Sequence, residues 1–276
     1  MNVNIDLHTH SYYSDGVLSP KEIIHKAVNA DCQFISLTDH DSTEGLVEAE
    51  ECANKFNLNF IKGVEISAKH GPYSIHIVGL GINVNSKTLI AGLQENNQFR
   101  INRAKLIGEG LQKVGIENAY KKASSLSKTK YITRTHFAQM LVMEGVCHNM
   151  SSVFKKYMTG NKPGAVKGEW AKSEDVINWI HRSGGLAILA HPLRYKMTLT
   201  KLKKLTRELK EIGLNGLEIV NSFSSDEDIA IAKQIADTNK LLYSCGSDFH
   251  GWPNQTIELG KIPKYDYGKN FVLNYL

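Results

Sequence analysis

Seven short segments rich in β-branched or other apolar residues punctuate this chain: VNIDL (3–7), FISLT (34–38), FIKGVEIS (60–67), SIHIVGLGI (74–82), LAILA (186–190), GLEIV (216–220) and LLYSC (241–245). Their length and composition read as strands. Helical patterns lie between most of them. SPKEIIHKAVNA follows the first and STEGLVEAEECANKF the second, while SEDVINWIHRSG precedes the fifth and DEDIAIAKQIADTNK the seventh. Ser19-Pro20 and Ser42 with Thr43 are helix-start signals, and Gly184-Gly185 is a stop. Strand and helix in alternation predict an α/β fold with a mainly parallel sheet, either open or an incomplete (β/α) barrel.

Residues 87–165 break the alternation. They hold three or four helical patterns and no strand pattern, which predicts a helical insertion packed over one end of the main body. The chain thus divides into a first barrel part (1–86), an insertion facing the substrate (87–165) and a second barrel part (166–276). The basic residues concentrate in the same region. Residues 100–172 carry 14 Lys and Arg against four Glu and no Asp, a net of +10 within a chain of net +5. A surface of that charge suits phosphate-rich ligands, although a solvated basic face has the same composition.

A chain of 276 residues can bury a sizeable core. No apolar run approaches the length of a membrane span, and the N-terminus enters a strand pattern directly, so neither a transmembrane helix nor a signal peptide is expected. Cys32, Cys52, Cys147 and Cys245 are scattered, as in a reduced cytoplasmic protein.

The polar residues around the strands carry the chemistry. His8, His10 and Asp15 follow the first strand, and His40 lies in TDHD after the second. The third strand holds Glu65 and the fourth His76, the fifth runs into His191, and the seventh runs into Asp248 and His250. In barrels and doubly wound sheets, active sites form at the C-terminal ends of strands. Six of the eleven histidines gather there with three carboxylates, whereas His25, His70, His148 and His181 stand outside the pattern. A lone H-x-H has a bland reading as a polar strand exit; the joint placement favours a metal centre.

Imidazoles and carboxylates without cysteine suit Mn²⁺, Zn²⁺ or Fe²⁺. Nine ligands exceed the needs of one ion, so two or three divalent ions are expected. Three such ions carry six positive charges, and Asp15, Glu65 and Asp248 return three. The surplus favours an anionic substrate, with water acidified between the ions as the nucleophile. Asp15, His40, Glu65 and His191 would take part in catalysis through that water. Asp6, Asp39 and Asp41 are read as partners that orient the ligand imidazoles.

In order along the chain, DLHTHSYYSDG, SLTDHDS, GVEIS, HIVGLGI, LAHP and GSDFHG resemble the PHP (polymerase and histidinol phosphatase) metallohydrolases from end to end. The resemblance implies a distorted (β/α)7 barrel. It also implies one ion on His8, His10, Glu65 and Asp248, a second on a bridging Glu65 with His76 and His191, and a third on Asp15, His40 and His250. Within the family, ITRTHFAQMLV and NKPGAV in the insertion look like the nucleoside 3′,5′-bisphosphate phosphatases, which are related to 5′-to-3′ exoribonucleases. That likeness implies that Arg134 contacts substrate phosphate with His136 nearby. Arg100 and Arg103, spaced to share a helix face, and Arg194 are further phosphate-binding candidates. The chain has Thr133-Arg134 where Gly-Arg is usual.

The resulting expectation is a cytoplasmic, metal-dependent phosphoesterase, Mn²⁺ first and Zn²⁺, Fe²⁺ or Mg²⁺ as alternatives. It would remove the 3′-phosphate of nucleoside 3′,5′-bisphosphates, with exonucleolytic action on short RNA second and histidinol phosphate third. The substrate would carry more than one phosphate, and no membrane or obligate protein partner is implied. The reading from another class is a nucleic-acid-binding module with a structural or vestigial metal site.

Overall fold

The computed structural model of the protein describes residues 4–252 and 256–276. Seven strands form one sheet in chain order: β1 (Ile5–Asp6), β2 (Phe34–Leu37), β3 (Asn59–His70), β4 (Tyr73–Leu80), β5 (Leu186–Leu189), β6 (Gly216–Val220) and β7 (Leu242–Cys245). Each falls on an expected segment, though Val3 lies outside the described residues. Beyond β1 and β7 the chain stays paired. Thr9 bridges Phe249 in parallel, and His10 N donates to Phe249 O at 2.9 Å. These contacts close the sheet into a distorted (β/α)7 barrel.

The sheet is mixed rather than mainly parallel. β1, β2 and β3 are parallel, as are β5, β6 and β7, but β4 is antiparallel to both β3 and β5. Only Gly71 and Pro72 separate β3 from β4, too short a link for a crossover, and Gly71 takes the left-handed φ of +54° that a tight hairpin needs. The reversal positions a site residue. Because β4 descends, His76 near its start lies at the same rim as the C-terminal ends of the parallel strands.

Helices α1 (Pro20–Asn29) and α2 (Leu46–Lys55) cover the first strands. α1 begins at the expected Ser19, whose side chain accepts from Glu22 N while Glu22 answers at Ser19 N. α2 starts later than Ser42 and Thr43 suggested. Asp41 has a left-handed φ of +51°, and the chain turns through Thr43 before helix geometry begins after Gly45. After the insertion come α7 (Ser173–Arg182), α8 (Leu199–Glu211) and α9 (Asp226–Thr238). α8, which the sequence patterns do not predict, presents Leu202, Leu205 and Leu209 to the barrel core.

The insertion comprises α3 (Lys87–Gln112), α4 (Ala119–Ser124), α5 (Arg134–Met143) and α6 (Met150–Val153), the last followed by a π-helical turn at Phe154–Met158. It has its own apolar cluster, including Ile107, Leu111, Phe137 and Leu141. α3 ties the two bodies together. Its first half packs Leu89 and Leu93 into the barrel core, and its second half enters the insertion cluster. Between these halves, Asn96, Asn97 and Arg100 face the barrel and are buried.

Candidate metal centre

Glu65 projects from the middle of β3 and is fully buried. Five imidazoles surround its carboxylate. His40 Nδ1, His8 Nε2 and His10 Nε2 lie 2.8, 3.4 and 3.4 Å from Oε2. His76 Nδ1 and His191 Nε2 lie 2.9 and 3.1 Å from Oε1. Two further carboxylates extend the cluster. Asp248 Oδ1 is 3.2 Å from His10 Nε2, and Asp15 Oδ1 is 3.1 Å from His250 Nε2. All nine predicted ligand residues therefore stand in one pocket.

Burial opposes ionisation of Glu65, but His40, His76 and His8 outweigh it and hold the carboxyl well below its usual range. Asp15 and Asp248 are held down in the same way, chiefly by His250 and His40 for the first and by His10 and His250 for the second. Burial and the nearby His250 press His10 down to about 3. Burial also opposes the charge on His250, yet Asp15 and Asp248 push it up to about 9.

Several of these atoms are buried without a hydrogen-bond partner among the described residues: His8 Nε2, His10 Nε2, His40 Nδ1, Asp15 Oδ1 and Glu65 Oε2. Orphaned polar atoms are costly unless something satisfies them. Three ligand sets draw their atoms to within 4.8 Å of one another: His10, Asp15, His40 and His250; His8, His10 and Glu65; His40, Glu65 and His76. The convergence of unsatisfied nitrogen and oxygen atoms fits two or three divalent cations. His191 and Asp248 also hold left-handed φ values of +31° and +57°, sparsely populated conformations of the kind found at functional sites.

The aspartates expected to orient imidazoles do something else. Asp6 accepts from Ser247 N (2.8 Å) and Gly260 N (2.9 Å), joining β1 to the segments after β7. Asp39 accepts from Ser11 N (2.8 Å) and from the hydroxyls of Ser11 and Ser14 (2.6 Å each), fixing the loop that carries His10 and Asp15. Asp41 accepts from Ser67 N and Asn96 Nδ2, both at 2.9 Å, and pairs with Arg100. These carboxylates shape the backbone beneath the site. None of them bonds to an imidazole, because backbone amides, hydroxyls, the Asn96 amide and the Arg100 guanidinium occupy them instead.

The His8 imidazole is held instead by Glu218, buried on β6. Its Oε1 lies 3.1 Å from His8 Nδ1, and its Oε2 accepts from His191 N. Tyr195 adds a second brace. Its hydroxyl accepts from His76 N at 2.9 Å and donates to Ala190 O at 3.1 Å, tying β4 to the residue before His191. Glu218 falls within the expected strand segment GLEIV, but nothing in the sequence singles it out as a partner of His8.

The predicted phosphate-binding residues divide. Arg100 is buried and ion-paired with Asp41, so one end of its guanidinium is committed inside the protein. Arg103 donates from Nε to Val166 O at 2.9 Å and, like Arg100, lies against Trp170. Arg134 opens α5 and lies over the Phe154 ring. Burial and the charge of Arg100 both lower Arg134, and Arg103 is lowered by burial, Arg134 and Arg100. These guanidiniums stay charged at neutral pH. His136 Nδ1 accepts from Thr133 N at 3.0 Å and so caps α5. Thr135 Oγ1 donates to Asp15 Oδ2 at 2.9 Å, which places the start of α5 against the pocket. Arg194 lies on the other side of His250, ion-paired with Asp248.

A barrel whose strand rim carries this histidine and carboxylate cluster defines a metal-dependent hydrolase. The PHP domain model matches residues 6–186, and the chain belongs to that family. It is a PHP-type hydrolase acting on phosphoester bonds. A 3′,5′-nucleoside bisphosphate phosphatase from Chromobacterium violaceum is 41% identical over 248 residues, covering 90% of this chain and 87% of its own. A 5′-3′ exoribonuclease from Haemophilus influenzae is 41% identical over 261 residues, covering 95% and 94%. The solved structure of an amidohydrolase from Chromobacterium violaceum, with bound sulfate and no metal, superposes with a TM-score of 0.94 at 38% identity, covering 99% of this chain and 95% of that one.

Proposed function

We propose that the protein removes the 3′-phosphate of nucleoside 3′,5′-bisphosphates, leaving nucleoside 5′-monophosphates, with Mn²⁺ as the working metal. One observation carries this reading. Beside the metal pocket lies a second cationic site, Arg134 and Arg103, which no carboxylate pairs among the described residues. A substrate with a phosphate at each site matches that charge layout, and one with a single phosphate leaves the second site unused. The bisphosphatase relative supports the same reading.

Bound divalent ions would supply acidified water and neutralise charge on the phosphoryl oxygens. In this reading His8, His10, Glu65 and Asp248 hold one ion, Glu65, His76 and His191 a second, and Asp15, His40 and His250 a third. Glu218 holds the His8 imidazole and the His191 backbone, and Tyr195 holds the backbone at His76 and Ala190. Arg134, reinforced by the N-terminus of α5, anchors the second phosphate and so positions the first. Arg103 adds charge from behind, and Arg100 holds Asp41 and the TDHD turn in place.

Stepwise 5′-to-3′ cleavage of short RNA is the second reading, favoured by the exoribonuclease relative of equal identity. One pocket can serve both, since each substrate has a phosphate one nucleoside away from the scissile bond. Incubating the purified protein plus Mn²⁺ with adenosine 3′,5′-bisphosphate, AMP, histidinol phosphate and a 5′-phosphorylated RNA oligomer separates the readings. Phosphate release from the bisphosphate but not from AMP is expected. Preferential turnover of histidinol phosphate would overturn the proposal.

A further inference from the structure

Beyond Arg194, which pairs with Asp248, lies an aromatic ring that neither the metal centre nor the arginine cluster explains. Phe223 is 57% exposed, although it belongs to a loop with little freedom. Its N donates to Asn221 Oδ1 at 3.0 Å, and the preceding Ser222 hydroxyl donates to Ser247 O, also at 3.0 Å. The second bond ties the loop after β6 to the segment that carries Asp248. Arg194 completes the link. Its guanidinium lies 5.3 Å from the Phe223 ring centroid and is ion-paired with Asp248. Phe223 is therefore one side chain removed from the metal pocket, with one face backed by a cation and much of the ring open to solvent.

The charge around this ring differs from that around Arg134. α9 begins three residues beyond Phe223 with Asp226, Glu227 and Asp228 in its first turn. Such a neighbourhood repels a phosphate and tolerates a neutral aromatic group. His250 lies between the two regions, 3.1 Å from Asp15 on the side of Thr135 and 3.7 Å from Asp248 on the side of Arg194. A nucleotide with its phosphates on the metal and Arg134 sides has only its base left to place.

We infer that Phe223, backed by Arg194, is the platform on which the nucleobase of the substrate stacks. Stacking on a ring is tolerant of base identity, so the platform favours nucleotides as a class over sugar phosphates. The Arg194 guanidinium against the opposite face holds the ring in place for that stacking. This inference rests on the nucleotide reading above and names the part of the substrate that the metal centre and the arginines leave unrecognised.

The test compares equilibrium binding of AMP and of ribose 5-phosphate to the Mn²⁺-loaded protein, wild type against Phe223→Ala and Phe223→Trp. Base–aromatic stacking predicts that the wild type prefers AMP by about tenfold, that Phe223→Ala abolishes the preference, and that Phe223→Trp keeps it. Affinity for ribose 5-phosphate stays the same in all three. A wild type without the preference, or a Phe223→Ala protein that retains it, overturns the platform. The two readings fail separately. If AMP is preferred through Phe223 but adenosine 3′,5′-bisphosphate is not hydrolysed, the platform stands and the bisphosphatase assignment falls.

Discussion

Glu218 Oε1 lies 3.1 Å from His8 Nδ1, although 210 residues separate them in the chain. The same carboxylate accepts the backbone N–H of His191, so one buried side chain holds both the His8 imidazole and the backbone at the end of the fifth strand. A carboxylate behind a ligand imidazole fixes its tautomer and raises its basicity. Glu218→Gln is expected to lower metal affinity roughly tenfold to a hundredfold while the fold is kept. Metal titration followed by calorimetry checks this, and an unchanged affinity argues against the positioning role.

Metal uptake should compete with protons. A ligating imidazole must be neutral, while Asp15 and Asp248 push His250 up to about 9. At pH 7 binding therefore displaces a proton, and affinity should rise with pH toward that value and fall on acidification. Calorimetric titrations at pH 7 in buffers of different ionisation enthalpy measure the protons released. Equal apparent enthalpies in all buffers would contradict the expectation.

In the proposed function Arg134 contacts the second phosphate and not the metals. Arg134→Met should raise KM for adenosine 3′,5′-bisphosphate roughly tenfold to a hundredfold, the scale of a lost charge-assisted hydrogen bond. Metal content should not change. A variant that instead loses metal would reassign the residue to the integrity of the pocket.

Barrel closure has its own test at Gly246. A Cβ there would stand 2.2 Å from His8 Cβ and 2.6 Å from His8 N, and a backbone atom cannot step aside. Gly246→Ala is expected to cost about 1–3 kcal/mol, seen as a melting temperature lower by several degrees. Metal affinity should fall with it because His8 is displaced. An unaltered melt would show that the strand ends separate more easily than the packing implies.

The ligand set was legible in sequence because each member sits beside an apolar run whose strand character is local. Other features depended on contacts between distant segments. Glu218 looks like any inward strand residue until β6 is placed beside β5 and the barrel is closed. Asp39 and Asp41 flank a ligand histidine and look like its partners, yet Ser11, Ser14, Asn96 and Arg100 reach them first. The antiparallel course of β4 was hidden for a different reason. Its apolar pattern is the same in either direction, and only the two-residue link at Gly71 and Pro72 reveals the reversal.

The cluster around Glu65 is expected to bind the metals on which phosphoester hydrolysis depends. Metal content per chain, measured together with phosphate release, tests it in the wild type, His10→Ala and Asp248→Ala. Both variants should melt as folded proteins, bind less metal and lose turnover of adenosine 3′,5′-bisphosphate. Full turnover in either variant with metal content unchanged would contradict the account.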